Sequence, residues 1–280
     1  MNLTMRVKKL GGLMLAARQV RSSQLPEPLR SEVANTLWQL GLGFNLPSTV
    51  SIVGYEVLHR GQAQLSHLFN EVFVEACYLF QADTDRPSIL DCGSNIGMSI
   101  LFFKKLYPKA RIVGFEPDPL TFDTLKENMA RNALSDVAVH RLALGARDET
   151  RKFFRATDLN TSDLTMSLLK QRNDGRELEV ECRRLSGFIT DRIDLLKIDV
   201  EGAEQEVLDD LVDSGKLRFV EQMHIEYHHH IDTSVDTLSR TLRLLEDEGF
   251  GYQIKASSWP LPIPYFQDIS IFCYRTPSRG

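Results

Sequence analysis

The sequence predicts an α/β fold in which a doubly wound, mostly parallel sheet of seven strands follows an N-terminal, mainly helical extension. Strand-like and helix-like segments alternate along the chain after about residue 86, which is typical of such sheets. The apolar run Ile89-Leu90 suits a strand buried on both faces, and it leads into a turn that contains Gly93 and Gly97. With 42% hydrophobic and 25% charged residues, the 280-residue chain has the composition of an ordinary globular protein.

The predicted elements divide the chain into a mainly helical extension over residues 1–85 and a sheet domain over residues 86–280. Within the extension, apolar periodicity predicts helices over Glu32–Leu42 and His67–Phe80. Between them, Val50–Leu58 alternates loosely, which predicts a strand or one arm of a hairpin.

The turn after the first strand of the sheet domain has the features of a nucleotide site. Gly93 and Gly97 allow a tight turn, and the helix that follows, before Pro108, would direct its N-terminus at an anion. The next strand, Arg111–Phe115, ends at Glu116, about 20 residues after the glycines. A carboxylate at that place can accept hydrogen bonds from both hydroxyls of a ribose, so an adenosine-containing ligand is predicted.

The other elements of the sheet domain follow in order. Asp118 can cap a helix that has Pro119 at its first position. Lys152–Phe154 and Leu178–Cys182 can pair as a hairpin around the polar excursion Arg155–Arg176, which we interpret as a mobile lid. The remaining strands are predicted over Val137–Leu142, Ile193–Asp199, Phe219–Glu226, Tyr252–Ala256 and Ile269–Tyr274, with one helix opened by Glu201 and another over Thr233–Glu248.

Three motifs together resemble the FkbM family of methyltransferases. They are Asp91-x-Gly93-x-Asn95-x-Gly97, Phe115-Glu116-Pro117-x-Pro119 and the run Leu196–Glu204, and the similarity extends over about Ile89–Tyr274. The resemblance implies a class I methyltransferase fold, which is Rossmann-like, with a last strand that inserts antiparallel. It also implies S-adenosylmethionine as the cofactor and O-methylation of a small-molecule natural product or a sugar or glycan.

We predict a cofactor site at the edge of the sheet where the strand ends meet. Asp91 and Asp199 are assigned to the methionine end of the cofactor, which is cationic at its ammonium and sulfonium groups, and Glu116 is assigned to the ribose. In the family's fold the end of the third strand, at Ala143, lies beside the adenine ring. The predicted cofactor-binding residues are Asp91, Gly93, Ser94, Asn95, Gly97, Glu116, Pro117, Ala143 and Asp199.

Methyl transfer to a hydroxyl requires alignment of the acceptor and a base within hydrogen-bond reach of its oxygen. The richest source of bases is the segment from His224 to His230, in which His224, Glu226 and His228 share one face of an extended strand. We therefore predict Glu226, His228 and Asp199 as the catalytic residues.

A metal is an alternative way to activate the acceptor, because a divalent ion held by Asp199, Glu226 and His228 would lower the pKa of the hydroxyl. Adjacent side chains on a strand point in opposite directions, so the three consecutive histidines would not converge on one ion, and we assign no metal. Four neighbouring residues receive structural interpretations: solvated loop residues for His229 and His230, and acids that complement a helix dipole for Glu201 and Glu204.

Charge and cysteine usage restrict the partners and the compartment. A net charge of −5 argues against a nucleic-acid partner, and no apolar run approaches the length of a membrane span. Met1–Ser23 superficially resembles a signal peptide, but its apolar core is short, and the four cysteines lie far apart, so we expect reduced thiols in a cytoplasmic protein. The expected partner is a small-molecule or glycan acceptor, and a homodimer is left open. The extension is expected to cap the sheet, to contribute to the acceptor pocket, or both.

Three other functions have weaker support. An NAD-dependent oxidoreductase would need glycines where Asn95 and Met98 stand. Methyltransferases that act on planar amino groups often carry Asn/Asp-Pro-Pro-aromatic where this chain has Asp199-Val200-Glu201-Gly202, which weakens N-methylation. A non-catalytic nucleotide-binding or scaffold protein would be expected to lose the ribose or methionine contacts, and the residues predicted for both are present.

Overall fold

The computed structural model describes residues 3–42, 46–155, 176–231, 238–256 and 267–276. The extension is mainly helical, as predicted, and Val50–Leu58 supplies most of a hairpin. None of the helices within these ranges is long and apolar enough to cross a membrane. The extension consists of α1 (Leu3–Ser22), α2 (Leu29–Leu42), the antiparallel strands β1 (Thr49–Ile52) and β2 (Tyr55–Leu58), and α3 (Gln62–Phe69), which continues as a π-helical turn over Asn70–Val74.

Strands and helices alternate through the sheet domain. The helices are α4 (Met98–Leu106), α5 (Pro119–Arg131), α6 (Glu204–Asp213) and α7 (Leu238–Asp247). The strands are β3 (Ser88–Cys92), β4 (Arg111–Phe115), β5 (Val137–His140), β6 (Ala143–Leu144), β7 (Glu149–Arg155), β8 (Arg176–Arg183), β9 (Leu195–Ile198), β10 (Gln222–His229), β11 (Phe250–Ala256) and β12 (Gln267–Arg275).

Seven of these strands form the main sheet, in the order β11-β12-β10-β9-β3-β4-β5. Strand β12 is antiparallel to both of its neighbours, whereas β10, β9, β3, β4 and β5 are parallel to one another. The chain leaves β3 toward β4 and later returns to β9 on the other side, so the strand order reverses at β3. This order, with an inserted antiparallel last strand, confirms the predicted class I methyltransferase fold and places the binding edge at the carboxyl ends of β3, β4, β9 and β10.

Local signals determine several element boundaries. The Asp118 carboxylate accepts a hydrogen bond from the backbone N of Thr121 at 2.8 Å, and Pro119 occupies the first position of α5, as predicted. Gly249, with φ of +78°, follows the end of α7 and permits the left-handed turn into β11. The predicted hairpin is also present, because β7 pairs antiparallel with β8.

The extension packs onto the sheet domain through a continuous apolar core. Leu13 and Val20 of α1 belong to the same buried cluster as Phe73 of the π-helical turn and Phe102 of α4. The extension therefore covers the sheet as a cap, and the division at residue 85 remains a prediction. The four cysteines are free, and Cys77 is the one that is partly exposed.

Several predicted boundaries were wrong. Helix α1 was not predicted from the sequence, and the predicted helix over His67–Phe80 starts at Gln62 and ends in the π-helical turn. The third strand of the main sheet ends at His140, and Ala143 instead belongs to β6, which pairs with β8 in a separate three-stranded sheet. Each of these depends on packing between distant segments, which a local pattern does not contain.

Two further differences concern the candidate site. Glu201 does not open a helix: it has φ of +53° in a turn, and α6 begins at Glu204. Strand β10 begins at Gln222 and extends to His229, beyond the predicted end at Glu226. Most of the predicted lid (156–175) and the first part of the predicted helix Thr233–Glu248 lie outside the described residues.

Candidate active site

The glycine turn after β3 is held against the neighbouring strands by its backbone. The backbone N atoms of Gly93 and Ser94 donate to the Phe115 carbonyl at 3.0 and 2.8 Å. Gly93 has φ of +90°, and a β-carbon on it would lie 1.9 Å from the carbonyl oxygen of Asp199. Only glycine allows this close approach between the turn and the end of β9.

The Glu116 carboxylate is fixed at the end of β4 by two backbone donors. Its Oε2 accepts from the N of Asn95 at 3.1 Å, and its Oε1 accepts from the N of Asp118 at 2.9 Å. The residue is 4% exposed. The acid that the sequence assigned to a ribose is thus held beside the glycine turn in one orientation, as a preformed acceptor of hydrogen bonds.

An open cavity lies where these strand ends meet. The predicted cofactor residues that line it are Gly93, Ser94, Asn95, Glu116, Pro117, Ala143 and Asp199.

Asp91 and Gly97 are placed behind the cavity wall instead. Asp91 is fully buried, and its Oδ2 accepts from the hydroxyl of Ser99, which does line the cavity. Gly97 has φ of +95° and forms the N-cap of α4. Both residues therefore stabilise the turn without lining the cavity.

Lys197, which the sequence analysis gave no role, links the turn to both aspartates. Its Nζ donates to the carbonyl of Gly93 at 2.8 Å and to Oδ2 of Asp199 at 3.1 Å, and it lies 3.5 Å from Oδ1 of Asp91. Burial opposes the charge of this ammonium, but the two carboxylates raise its pKa above the ordinary value. The signal available in the sequence was a lysine between two apolar strand residues, Leu196 and Ile198.

The three predicted catalytic residues are brought together beside this cavity, which Asp199 lines. One ligand or proton-accepting atom from each of Asp199, Glu226 and His228 lies within 4.8 Å of the others. Asp199 follows β9, and the other two stand two residues apart on β10, where alternate side chains share a face. The sequence pattern thus identified this cluster correctly as a spatial group.

His228 is oriented by two acids that the sequence analysis treated as complements of a helix dipole. Nδ1 of His228 donates to Oε1 of Glu204 at 2.7 Å, and Nε2 lies 3.3 Å from Oε2 of Glu201. Glu204 is 2% exposed and also accepts from the backbone N of Gly202 at 2.8 Å. That interpretation was therefore wrong for Glu201, which lies outside the helix, whereas Glu204 does stand in the first turn of α6 and also binds the imidazole.

The acids of the cluster influence one another's protonation. Burial, followed by the nearby charges of Asp199 and Glu71, raises the pKa of Glu226 well above its usual value. Burial alone would raise the pKa of Asp199, but Lys197 and His228 outweigh it and lower that pKa. Burial opposes the charge of His228, yet Glu201 and Glu204 raise its pKa well above the ordinary value. The region therefore contains more carboxylates than positive charges, which favours binding of a cation or sharing of a proton between two carboxylates.

The extension contributes to the same cavity, which the sequence analysis left open. Leu68, Glu71, Val72 and Tyr78 line it opposite the glycine turn. The hydroxyl of Tyr78 donates to Oε1 of Glu71 at 3.3 Å. Both predicted roles of the extension, cap and pocket wall, are consistent with this placement.

His224 does not join the catalytic cluster, although it stands on the same strand. Its ring packs edge to face against Tyr78 and Phe272, with centroids 4.8 and 4.7 Å away. Burial lowers its pKa to about 3. The rings of His229 and His230 stack with their centroids 3.6 Å apart, and both residues are partly buried. His229 is the last residue of β10, so its interpretation as a solvated loop residue was wrong.

Comparison with known proteins gives a consistent result. A family model described as "Methyltransferase FkbM domain" matches residues 91–253. Methyltransferase 1 of Beauveria bassiana is 29% identical over 219 residues, which cover 71% of this chain and 86% of that protein. The 31-O-demethyl-FK506 methyltransferase FkbM of Streptomyces tacrolimicus is 30% identical over 239 residues, or 74% and 89% of the two chains. The 2-O-methyltransferase NoeI of Sinorhizobium fredii is 32% identical over 138 residues, or 44% and 56%.

Proposed function

The chain belongs to the FkbM family of methyltransferases, and we propose that it transfers the methyl group of S-adenosylmethionine to a hydroxyl oxygen of a small-molecule natural product or a glycan. The observation that carries the proposal is the cavity whose wall includes both the preformed Glu116 carboxylate and Asp199, which has ligand atoms of Glu226 and His228 within 4.8 Å. One part suits the nucleoside of a cofactor, and the other suits removal of a proton.

The residues at the nucleoside end fit S-adenosylmethionine. The Glu116 carboxylate is held by two backbone donors and can accept hydrogen bonds from ribose hydroxyls. Ala143 and Leu142 give the wall a small, apolar surface that suits a flat base, and Pro117 extends it. Ser94 and Asn95 line the turn between the two regions.

The carboxylates of Asp199 and Asp91 suit the positive charges of S-adenosylmethionine. Asp199 lines the cavity with a carboxylate whose pKa is lowered, so it is ionised near neutral pH. Asp91 acts from behind the wall through the hydroxyl of Ser99 and the ammonium of Lys197. When bound, S-adenosylmethionine supplies a methyl carbon that its sulfonium group has already activated.

The protein then has to align the acceptor and accept its proton. Alignment of the reacting atoms can supply about 7–11 kcal/mol of the rate acceleration. Glu226 and His228 lie within reach of Asp199, which lines the cavity. We therefore assign Glu226, with His228 oriented by Glu204, to the acceptor oxygen and its proton.

Names of two relatives support oxygen as the methylated atom. One is named a 31-O-demethyl-FK506 methyltransferase and the other a 2-O-methyltransferase. The acidic character of the acceptor end agrees with this, because carboxylates can hydrogen-bond to hydroxyl groups and accept their protons.

Two measurements test the proposal. S-Adenosylhomocysteine should raise the melting temperature of the protein and NAD should not, since ligands that bind the folded state stabilise it. Incubation with methyl-labelled S-adenosylmethionine and a panel of polyhydroxylated acceptors should yield product labelled on oxygen. Stabilisation by NAD alone would overturn the cofactor assignment, and label found only on nitrogen would overturn O-methylation.

A further inference from the structure

We propose that Asp199, Glu226 and His228 bind one divalent cation of the Mg²⁺ or Mn²⁺ class. One candidate ligand atom from each residue lies within 4.8 Å of the other two. Two ligands at 2.0–2.2 Å from an ion are at most about 4.4 Å apart, so these side chains need to move by only a few tenths of an ångström. The ligands come from the ends of β9 and β10, the neighbouring parallel strands that form the binding edge.

The orientation of His228 is a second, independent indication of a cation. Histidines that bind metals almost always donate their other ring N–H to a carboxylate, a carbonyl or water. Nδ1 of His228 makes this contact with Oε1 of Glu204 at 2.7 Å, and both side chains are at most 2% exposed. Nε2 consequently faces the cluster, 3.9 Å from Oδ1 of Asp199.

The two oxygens of Asp199 are divided in the same way. Oδ2 accepts from Nζ of Lys197 at 3.1 Å, and Oδ1 is the atom nearer His228. Lys197 thus orients this carboxylate as Glu204 orients the imidazole. Two of the three proposed ligands are therefore oriented by a buried neighbour, as is usual for ligands of a metal ion.

Charge in the region supports a cation rather than a neutral ligand. Four carboxylates surround the space, those of Glu71, Asp199, Glu201 and Glu226, and the ammonium of Lys197 contacts Asp199. His228 would bind a cation as a neutral imidazole and would therefore add no positive charge. Like charges that share a partly buried site repel, and a divalent cation would relieve that repulsion.

The donor set indicates the class of cation. Carboxylate oxygens and water suit Mg²⁺ and Mn²⁺, whereas structural zinc sites favour thiolates and several imidazoles. Three protein ligands leave further positions for water and for an oxygen of the acceptor. Its role in the reaction rests on the proposed function: the cation would stabilise the oxyanion of the acceptor. With the cation bound, Glu226 and His228 would act on the acceptor oxygen as ligands of that cation instead of accepting the proton directly, and the proton would be released to solvent.

Titration of Mn²⁺ into the chelator-stripped full chain, followed by electron paramagnetic resonance, tests the site directly. We expect one saturable Mn²⁺ per chain, displaced by Mg²⁺, with S-adenosylhomocysteine present or absent. Glu226→Gln should weaken binding by at least about tenfold, and Glu204→Gln, which disturbs the orientation of His228, by about 10–100-fold. Thermal melting of each variant shows that it is folded.

Asp268 provides a matched control for general electrostatic attraction. Its Oδ1 lies 4.0 Å from Nε2 of His228, but its side chain is 48% exposed at the rim. Asp268→Asn should change Mn²⁺ affinity by less than about fivefold, as is usual for exposed charges.

Two results would overturn the site: no saturable binding of Mn²⁺, or equal weakening of Mn²⁺ binding by Glu226→Gln and Asp268→Asn. Failure of this proposal differs from failure of the proposed function. Methyl transfer that persists in EDTA, without Mn²⁺ binding, would remove the cation and leave the methyltransferase. Tight Mn²⁺ binding without methyl transfer to any hydroxyl acceptor would support the cation site and overturn the proposed O-methylation.

Discussion

Oε1 of Glu204 accepts a hydrogen bond from Nδ1 of His228 at 2.7 Å, and both side chains are almost completely buried. The contact joins the first turn of α6 to β10 and leaves Nε2 of His228 beside Asp199 and Glu201. His228 can therefore act on the acceptor, or on a cation, in only one orientation.

Glu204→Gln should consequently lower turnover by about 10²-fold, the order of effect expected when a reacting group is misplaced by about 1 Å. Affinity for S-adenosylhomocysteine should change little, because Glu204 does not line the cofactor region. The free energy of unfolding should fall by about 1.5–3 kcal/mol with the loss of a charge-assisted hydrogen bond. Turnover, calorimetry and urea denaturation measure these three quantities.

Glu206→Gln is the matched control for Glu204→Gln. Glu206 stands on the same helix, but it is 37% exposed and pairs with Arg151 at 2.7 Å. Its substitution should leave turnover nearly unchanged. Equal losses of turnover in both variants would show that α6 matters only for stability.

Glu116→Ala tests the ribose assignment. If Glu116 binds the ribose, the variant loses charge-assisted hydrogen bonds, and cofactor affinity should fall by roughly 10- to 150-fold per bond. Turnover at saturating cofactor should fall much less. Calorimetric titration with S-adenosylhomocysteine measures the affinity, and Glu127→Ala on the outer surface of α5 is the control. Unchanged affinity in Glu116→Ala would contradict the assignment.

Lys197→Met tests whether the buried ammonium stabilises the site. The substitution leaves the carboxylates of Asp91 and Asp199 without their cation, and removal of one partner from a buried ion pair typically costs about 3–5 kcal/mol. The free energy of unfolding, measured with urea, should fall by that amount. Lys152→Met removes an exposed lysine of β7 and should have little effect. Similar stabilities of the two variants would contradict this role for Lys197.

Glu71→Gln tests the contribution of the extension to acceptor recognition. Glu71 lines the cavity from the π-helical turn, so a hydrogen bond from its carboxylate to an acceptor hydroxyl would be lost or weakened. The acceptor kcat/KM should fall by roughly 10- to 150-fold for one charge-assisted bond, with cofactor affinity retained. Glu75→Gln, which instead affects a surface ion pair with Lys255, is the control. Equal kcat/KM in the two variants would mean that the extension acts only as a cap.

Local signals were sufficient to predict most strands and helices of the sheet domain, and the family resemblance supplied the antiparallel last strand. Asp118 and Pro119 mark the start of α5, Gly249 marks the end of α7, and short apolar runs mark the strands. Strand register then places Asp199, Glu226 and His228 at one edge, because carboxyl ends of parallel strands meet there.

The features that were missed depend on contacts between distant segments. The apolar residues Leu13 and Val20 of α1 are buried only because other elements pack over them. Glu204 and His228 are 24 residues apart, and an acid at the start of a helix has an adequate local explanation without any partner. Lys197 likewise gives no local indication that it binds the glycine turn.

The measurement that tests the central claim most directly is turnover of Glu226→Gln at saturating cofactor, together with its affinity for S-adenosylhomocysteine. The variant keeps the shape of the side chain and removes its charge, so turnover to the O-methylated product should drop by about 10²–10⁴-fold while cofactor affinity stays nearly intact. Glu221→Gln, just before β10, should behave like the unmodified protein. Near-normal O-methylation by Glu226→Gln would contradict the account, because the acidic cluster would then have no part in the chemistry.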